Sequence, residues 1–312
     1  MKKMKIIYVS FNDEGWVCLK KMLELNGNVA GIFTLKDDLR IKMSGNKPFD
    51  DLAAEYKIPL YKIKNINDDD TLKIIKIIAP DIAFVIGWSQ LVKRKFFTLC
   101  RNNCIGIHPT MLPKHRGRAP LTWAIVFGLR KTGVTMFYLG EDADNGDIIG
   151  QLDVEITRRD NAGSLYQKVL DAHVILMEKY FPLILNGEVL RMKQDEQRSS
   201  YWTKRIPGDG IIDWNTCAYN LYDWIRALSD PYPGAFTFCG KKKLFIWEGK
   251  LINITERSNA SGEILNIDKE GITVSTGEGL LKLTCVQIAG NKRLECSDIL
   301  KSHFFQIGIR LG

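Results

Sequence analysis

The sequence predicts an α/β protein: a doubly wound, mostly parallel sheet covered on both faces by helices, followed by a smaller β-barrel-like (OB-like) domain. Three observations carry this expectation. Strand-like and helix-like segments alternate over residues 5–108, the pattern of a parallel sheet wound on both faces. Residues 81–86 form a nearly continuous apolar run, as a strand buried on both faces requires. After Gly210 the texture changes to short alternating strands separated by Gly240, Gly271 and Gly277-Glu278-Gly279. With 312 residues the chain is at the upper size for one core, so two domains are expected, 1–205 and 206–312.

Taken in order, residues 5–11 are apolar enough for a buried strand. Over 14–25, Trp16, Leu19, Met22 and Leu23 recur at helical spacing until Asn26-Gly27 stops the helix. Residues 29–35 are a second strand, and 36–47 are polar and glycine-containing, hence a loop. A short helix (49–56) and strand (58–61) follow. Asp69-Asp70 opens a helix to Ile78. Strand 81–86, helix 91–99 and strand 103–108 complete the parallel set. Strands 133–139 and 148–156 follow without a strong helix between them. Residues 162–181 make a long amphipathic helix, which Pro182 should kink or end. A polar connector (193–205) leads to a helix (219–228) and five short strands, at 235–239, 243–247, 261–267, 272–275 and 280–288.

Composition excludes several classes. Hydrophobic residues make 45% of the chain and charged residues 26%, a soluble globular balance without an apolar run that could span a bilayer, so no membrane partner is expected. The apolar run at Ile6 ends at Asn12-Asp13-Glu14, too soon for a signal peptide, and a cytoplasmic protein is expected. The seven cysteines contain no Cys-x-x-Cys, and the four histidines show no metal-ligand spacing with them, so neither a disulfide framework nor a metal site is expected. The net charge of +8 lies wholly in the first 206 residues; from Pro207 onward there are 12 basic and 12 acidic residues. That distribution argues against a nucleic-acid partner bound by a basic C-terminal module. The turn Ser10-Phe11-Asn12-Asp13-Glu14-Gly15 lacks G-x-G-x-x-G, and no phosphate-binding G-x-x-x-x-G-K-[ST] loop occurs.

The chemistry-bearing stretch is Gly106-Ile107-His108-Pro109-Thr110-Met111-Leu112-Pro113-Lys114-His115-Arg116-Gly117-Arg118-Ala119-Pro120, beyond the carboxyl end of a parallel strand, where open α/β sheets place their sites. Pro109 and Pro113 stiffen the loop. A second loop, Gly140-Glu141-Asp142-Ala143-Asp144-Asn145-Gly146-Asp147, clusters acids beyond another strand, a place for a general base. Taken singly, His108 reads more readily as a structural histidine, Asp144 as a solvent-facing acid, Arg116 and Arg118 as loop surface and His115 as exposed and incidental. Only the combination is specific.

That combination, with Thr132-Gly133-Val134-Thr135 and the later Trp202-Thr203-Lys204-Arg205-Ile206-Pro207-Gly208-Asp209-Gly210 and Ser229-Asp230-Pro231-Tyr232-Pro233-Gly234-Ala235-Phe236, resembles the formyltransferases that use N10-formyltetrahydrofolate over nearly the whole chain. The resemblance implies His108 and Asp144 as catalytic residues, Asp144 accepting a proton from the incoming amine and His108 stabilising an oxyanion. It implies the folate donor, with no metal, along Ile86, Gly87, Trp88 and Leu91 and along Leu139, Glu141 and Asp142. One position departs from the family pattern: where many members carry Asn two residues before the histidine, this chain has Gly106, with Asn102 and Asn103 out of register.

Arg-Gly-Arg-Ala-Pro and the loop 36–47 resemble the sugar enzymes of the family. The expected acceptor is therefore a nucleotide-linked amino sugar of cell-surface polysaccharide biosynthesis: an amino-deoxyhexose, an amino-pentose or a nonulosonic (pseudaminic-type) acid. It is expected against Ser10, Phe11, Asn12, Arg116, Gly117, Arg118 and Lys204. Methionyl-tRNA is the alternative acceptor, and water, as in a formyltetrahydrofolate hydrolase, the second alternative. The apolar Phe304-Phe305-Gln306-Ile307 is read as packing on the barrel, with a homodimer face as the alternative.

Overall fold

Ile6–Val9 (β1) is buried at every position and ends in a sharp turn into the helix Asp13–Glu24 (α1). Asn12 caps that helix: extended at φ −127°, it accepts the Gly15 N–H through its side chain, 3.1 Å away. The structure, a computed structural model, describes residues 3–101, 103–252 and 260–312. The chain continues through Val29–Leu35 (β2), Asp37–Arg40 (α2), Asp50–Glu55 (α3), Leu60–Ile63 (β3), Asp69–Ile78 (α4), Ile82–Val85 (β4), Arg94–Leu99 (α5), Cys104–His108 (β5), Arg116–Gly117 (β6), Pro120–Val126 (α6), Lys131–Tyr138 (β7), Ile148–Glu155 (β8), Ala162–Asn186 (α7), Tyr201–Trp202 (β9), Ala218–Leu228 (α8), Ala235–Cys239 (β10), Lys242–Ile252 (β11), Ile264–Asp268 (β12), Gly271–Ser275 (β13), Leu280–Ile288 (β14), Leu294–Glu295 (β15) and Cys296–Lys301 (α9).

The first sheet runs β3-β2-β1-β4-β5-β7-β8. Every pair from β3 to β5 is parallel, and β5–β7 and β7–β8 are antiparallel. The winding reverses between β1 and β4, so the turns after these two strands open a crevice between them, the place where open α/β sheets bind ligands. The chain divides into two units. The first holds residues 1–120, 131–155 and 167–203; the second holds 121–130, 156–166 and 204–312.

Sequence reading put 121–130 and 156–166 with the first domain, but their contacts place them with the second. Arg226 on α8 donates to the carbonyls of Thr157 and Asp160 while pairing with Asp223 at 2.7 Å, and the Tyr222 hydroxyl donates to the Arg158 carbonyl. A buried guanidinium must find acceptors, and these carbonyls supply them. In the second unit the order is β10-β11-β14-β13-β12, with β15 beside β14. Residues at the C-terminus bridge both edges, Leu311 to Cys239 and Arg310 to Glu263, which curls the sheet toward a barrel. Phe305 is buried in this unit's core with Phe304 packed against it, whereas Ile307 is 64% exposed.

Pro182 does not end its helix: α7 runs on to Asn186. Proline costs the interior bond to residue 178, yet Phe181 and Ile184 on either side are buried and hold the last turn against the sheet. The predicted helix 91–99 begins only at Arg94, and α6 and α9 were not expected. Among the described residues no helix is long and apolar enough to cross a membrane.

Candidate active site

His108 ends β5, and its pairing partner across the ladder is Thr135 of β7. The ring is buried, 7% exposed, and sits between two fixed groups. Its Nε2 lies 3.1 Å from the His115 carbonyl oxygen. A carbonyl only accepts, so Nε2 carries the hydrogen in this arrangement. Its Nδ1 faces Asp144 Oδ2 at 3.6 Å, beyond hydrogen-bond reach, and a hydrogen bond between them requires a proton on Nδ1 or on the carboxylate. Asp144, thirty-six residues further on, is brought there by the antiparallel β7 and the loop after it. Its Oδ2 accepts the Gly117 N–H at 2.9 Å. Its side chain is one-fifth exposed, and among the described residues its Oδ1 has no hydrogen-bond partner. The two expected catalytic groups therefore meet.

The backbone around them is unusual. His115, Ala119 and Asp144 adopt positive φ (63°, 50° and 57°), a left-handed conformation that costs a non-glycine residue about 1 kcal/mol or more. The turn at His115 is what aims its carbonyl at His108. Gly117, at φ 105°, has no room for a side chain: a Cβ would lie 2.4 Å from the Trp202 carbonyl, across the β6–β9 pair. His115 itself is half-buried, its ring stacked on Trp202 with centroids 4.0 Å apart, which corrects its reading as an exposed, incidental residue. Burial, with Lys114 nearby, lowers its pKa below the usual histidine value.

Residues expected at the donor site lie on the turn after β4. Ile86 is fully buried; Gly87 stands at φ 60° with Asn12 Oδ1 where a Cβ would fall, 2.0 Å away. Trp88 packs on Phe11 at 5.8 Å, and its indole N–H is buried without a hydrogen-bond partner among the described residues. Gly87→Ala is expected to weaken donor binding and to lower stability by about 1–3 kcal/mol, because both φ and the Asn12 contact oppose a Cβ; a folate titration and a denaturant melt check it.

On the facing loop Leu139 is half-buried, while Glu141 and Asp142 are exposed. Leu139 occupies the space beside Gly106: a Cβ there would meet its Cδ2 at 2.7 Å. An apolar side chain thus fills the space beside the position at which the resemblance leads one to expect an asparagine. Asn102 lies outside the described residues. Leu91, 66% exposed, stands out from the turn.

The expected acceptor contacts need correction. Ser10 and Phe11 are buried, 0% and 4% exposed: Ser10 Oγ fills the space left by the absent side chain of Gly15 and Phe11 packs on Trp88, so they build the turn rather than offer a contact surface. Asn12 is half-buried and committed to capping α1. Arg116 is fully buried and cannot meet a nucleotide: Gln194, Glu196 and Tyr201, from the segment paired through β6–β9, take all of its donors. The hydrogen bond to Glu196 holds its pKa above even the usual arginine value, and Arg116 in turn lowers that of Glu196. Arg118 remains exposed and donates to the Ser89 carbonyl at 2.8 Å, tying this loop to the turn after β4. Lys204 is an exposed residue of the second unit. Sequence reasoning missed Gln194, whose amide donates to the carbonyls of Asp144 and Gly146; no motif signals it.

Comparison with known proteins matches residues 10–180 to the formyl transferase family and 205–303 to the formyl transferase C-terminal domain. A methionyl-tRNA formyltransferase of Alkaliphilus oremlandii is 30% identical over 311 residues, covering 99% of this chain and all of the relative. The bifunctional polymyxin resistance protein ArnA of Wigglesworthia glossinidia brevipalpis is 32% identical over 265 residues, 85% of this chain and 40% of that protein. An N-formyltransferase from Helicobacter canadensis, solved with folinic acid and dTDP-3-aminofucose, superposes with a TM-score of 0.69 at 19% identity, covering 90% of this chain and 99% of that one. That last likeness is one of fold.

Proposed function

The chain belongs to the formyl transferase family, and on that premise we propose that it transfers the formyl group of N10-formyltetrahydrofolate to the primary amine of a nucleotide-linked amino sugar. The observation that carries the reading is the meeting of His108 and Asp144 at strand ends beside the Gly87 turn. The donor supplies an activated formyl carbon; the protein supplies placement and proton movement.

The open Oδ1 of Asp144 takes a proton from the amine as its nitrogen bonds to the formyl carbon. Gly117 N–H fixes the other carboxylate oxygen, so the acceptor atom is aimed without reorganisation. His108 N–H is the donor nearest the developing negative charge on the formyl oxygen, and shifts toward it from the His115 carbonyl. With Leu139 beside Gly106, this role falls more heavily on His108 than in relatives with the asparagine. The bond from the formyl carbon to N10 then breaks, and the proton held at Asp144 returns to N10. The turn at Gly87 and the unpartnered Trp88 N–H suit a flat heterocycle with acceptors on its edge.

The sugar acceptor is supported by the Arg-Gly-Arg-Ala-Pro loop, the acids Asp37 and Asp38 where tRNA enzymes need basic residues, and the balanced charge after Pro207. The sugar nucleotide in the Helicobacter structure is in keeping with it. The end-to-end likeness to the Alkaliphilus enzyme favours methionyl-tRNA as the second reading.

A panel of UDP-, dTDP-, GDP- and CMP-linked amino sugars, incubated with the donor and read by mass spectrometry, is expected to yield one formylated sugar. Formylation of charged initiator tRNA, with every sugar unreacted, would replace the first reading by the second. Rapid release of tetrahydrofolate with no acceptor would indicate hydrolysis.

A further inference from the structure

Asp144 is held at two points by one dipeptide. Gly117 N–H holds its carboxylate, and the side chain of the preceding Arg116 reaches its backbone through Gln194. Arg116 Nε and Nη2 both donate to Gln194 Oε1, at 3.1 and 2.7 Å. The remaining N–H groups go to the two Glu196 oxygens and the Tyr201 hydroxyl, at 2.9, 2.7 and 2.8 Å. The Gln194 amide nitrogen donates to the carbonyls of Asp144 and Gly146, at 2.8 and 2.7 Å.

An amide can sit either way round, but here only one way satisfies it. Turned over, its nitrogen would face the guanidinium and its oxygen two carbonyls. The buried arginine thus locks the amide, and the amide grips the loop on both sides of Asn145. The grip fixes a left-handed backbone at Asp144, φ 57°, which aspartate tolerates better than most residues but which still costs more than the ordinary helical or extended regions.

We propose that Gln194, locked by Arg116, is a positioning residue for the transfer step, keeping the Asp144 carboxylate turned toward His108. The proposal rests on Asp144 being the proton acceptor. The variants Gln194→Ala, Gln194→Glu, Asp144→Asn and Asp144→Asn with Gln194→Ala test it, assayed with the acceptor turned over in the panel above, sugar or tRNA alike. Gln194→Glu keeps the shape and the oxygen that Arg116 uses but loses both N–H donors, so it isolates the grip on the loop.

Both single Gln194 variants are expected to lose about 10–100-fold in kcat with little change in KM for the donor, the size of loss that about 1 Å of misplacement produces. The double variant should be no slower than Asp144→Asn alone. Hydrogen exchange at the Gly117 amide, a readout that needs no acceptor, should quicken in Gln194→Glu while the amides of β5 stay protected. Wild-type kcat in Gln194→Glu, unchanged exchange at Gly117, a multiplied loss in the double variant, or failure of Gln194→Glu to fold would each overturn the proposal. Wild-type turnover in Asp144→Asn would instead remove the reading of Asp144 on which it stands.

Discussion

His108→Ala is expected to lower kcat/KM for formyl transfer by about 10³-fold. A removed oxyanion donor costs about 10²–10³-fold, and here Leu139 fills the space beside Gly106 from which a second side-chain donor would come. The loss should fall on kcat, since the imidazole acts on charge that develops during the reaction rather than on bound substrate. Folding should survive. The side chain closes one hydrogen bond, to the His115 carbonyl, and leaving that acceptor without a buried partner costs about 1–3 kcal/mol. Steady-state kinetics beside a thermal melt separate the two effects, and an enzyme within a few-fold of wild type would remove His108 from the chemistry.

Asp144→Asn should cost about 10²–10⁴-fold in kcat, the range for loss of a positioned general base. The change is well isolated. Asparagine keeps an oxygen to accept the Gly117 N–H and tolerates the left-handed backbone at φ 57° better than most residues. Donor affinity and stability should therefore stay close to wild type while turnover collapses. A variant that binds donor normally and still transfers at the wild-type rate would show that the amine loses its proton elsewhere.

The residues of both experiments are legible in the sequence as candidates. His108 and Asp144 stand in a motif whose neighbours, Pro109, Pro113, Gly117 and Gly146, can be read as chain geometry. The strands were legible for the same kind of reason: Ile6–Val9 and Ile82–Val85 are apolar at every position, and a strand covered on both faces leaves that mark locally. The two arginines of Arg-Gly-Arg were not legible as different. Arg116 is fully buried and Arg118 exposed, yet nothing within a few residues distinguishes them.

Residue type, turn chemistry and hydrophobic period are local quantities, so the sequence alone determined most of the element order, the wound sheet and the change of texture after Gly210, and its motif singled out His108 and Asp144 as the candidate pair. Tertiary structure decided which polar groups were already spent. Arg116 finds its partners 78 to 85 residues downstream, and Leu139 comes to fill the space at Gly106 from the neighbouring antiparallel strand's end. A side chain's hydrogen bonds and its share of a crevice are set by atoms that only folding brings near. The building of the site, and Gln194's grip on it, therefore belong to the fold.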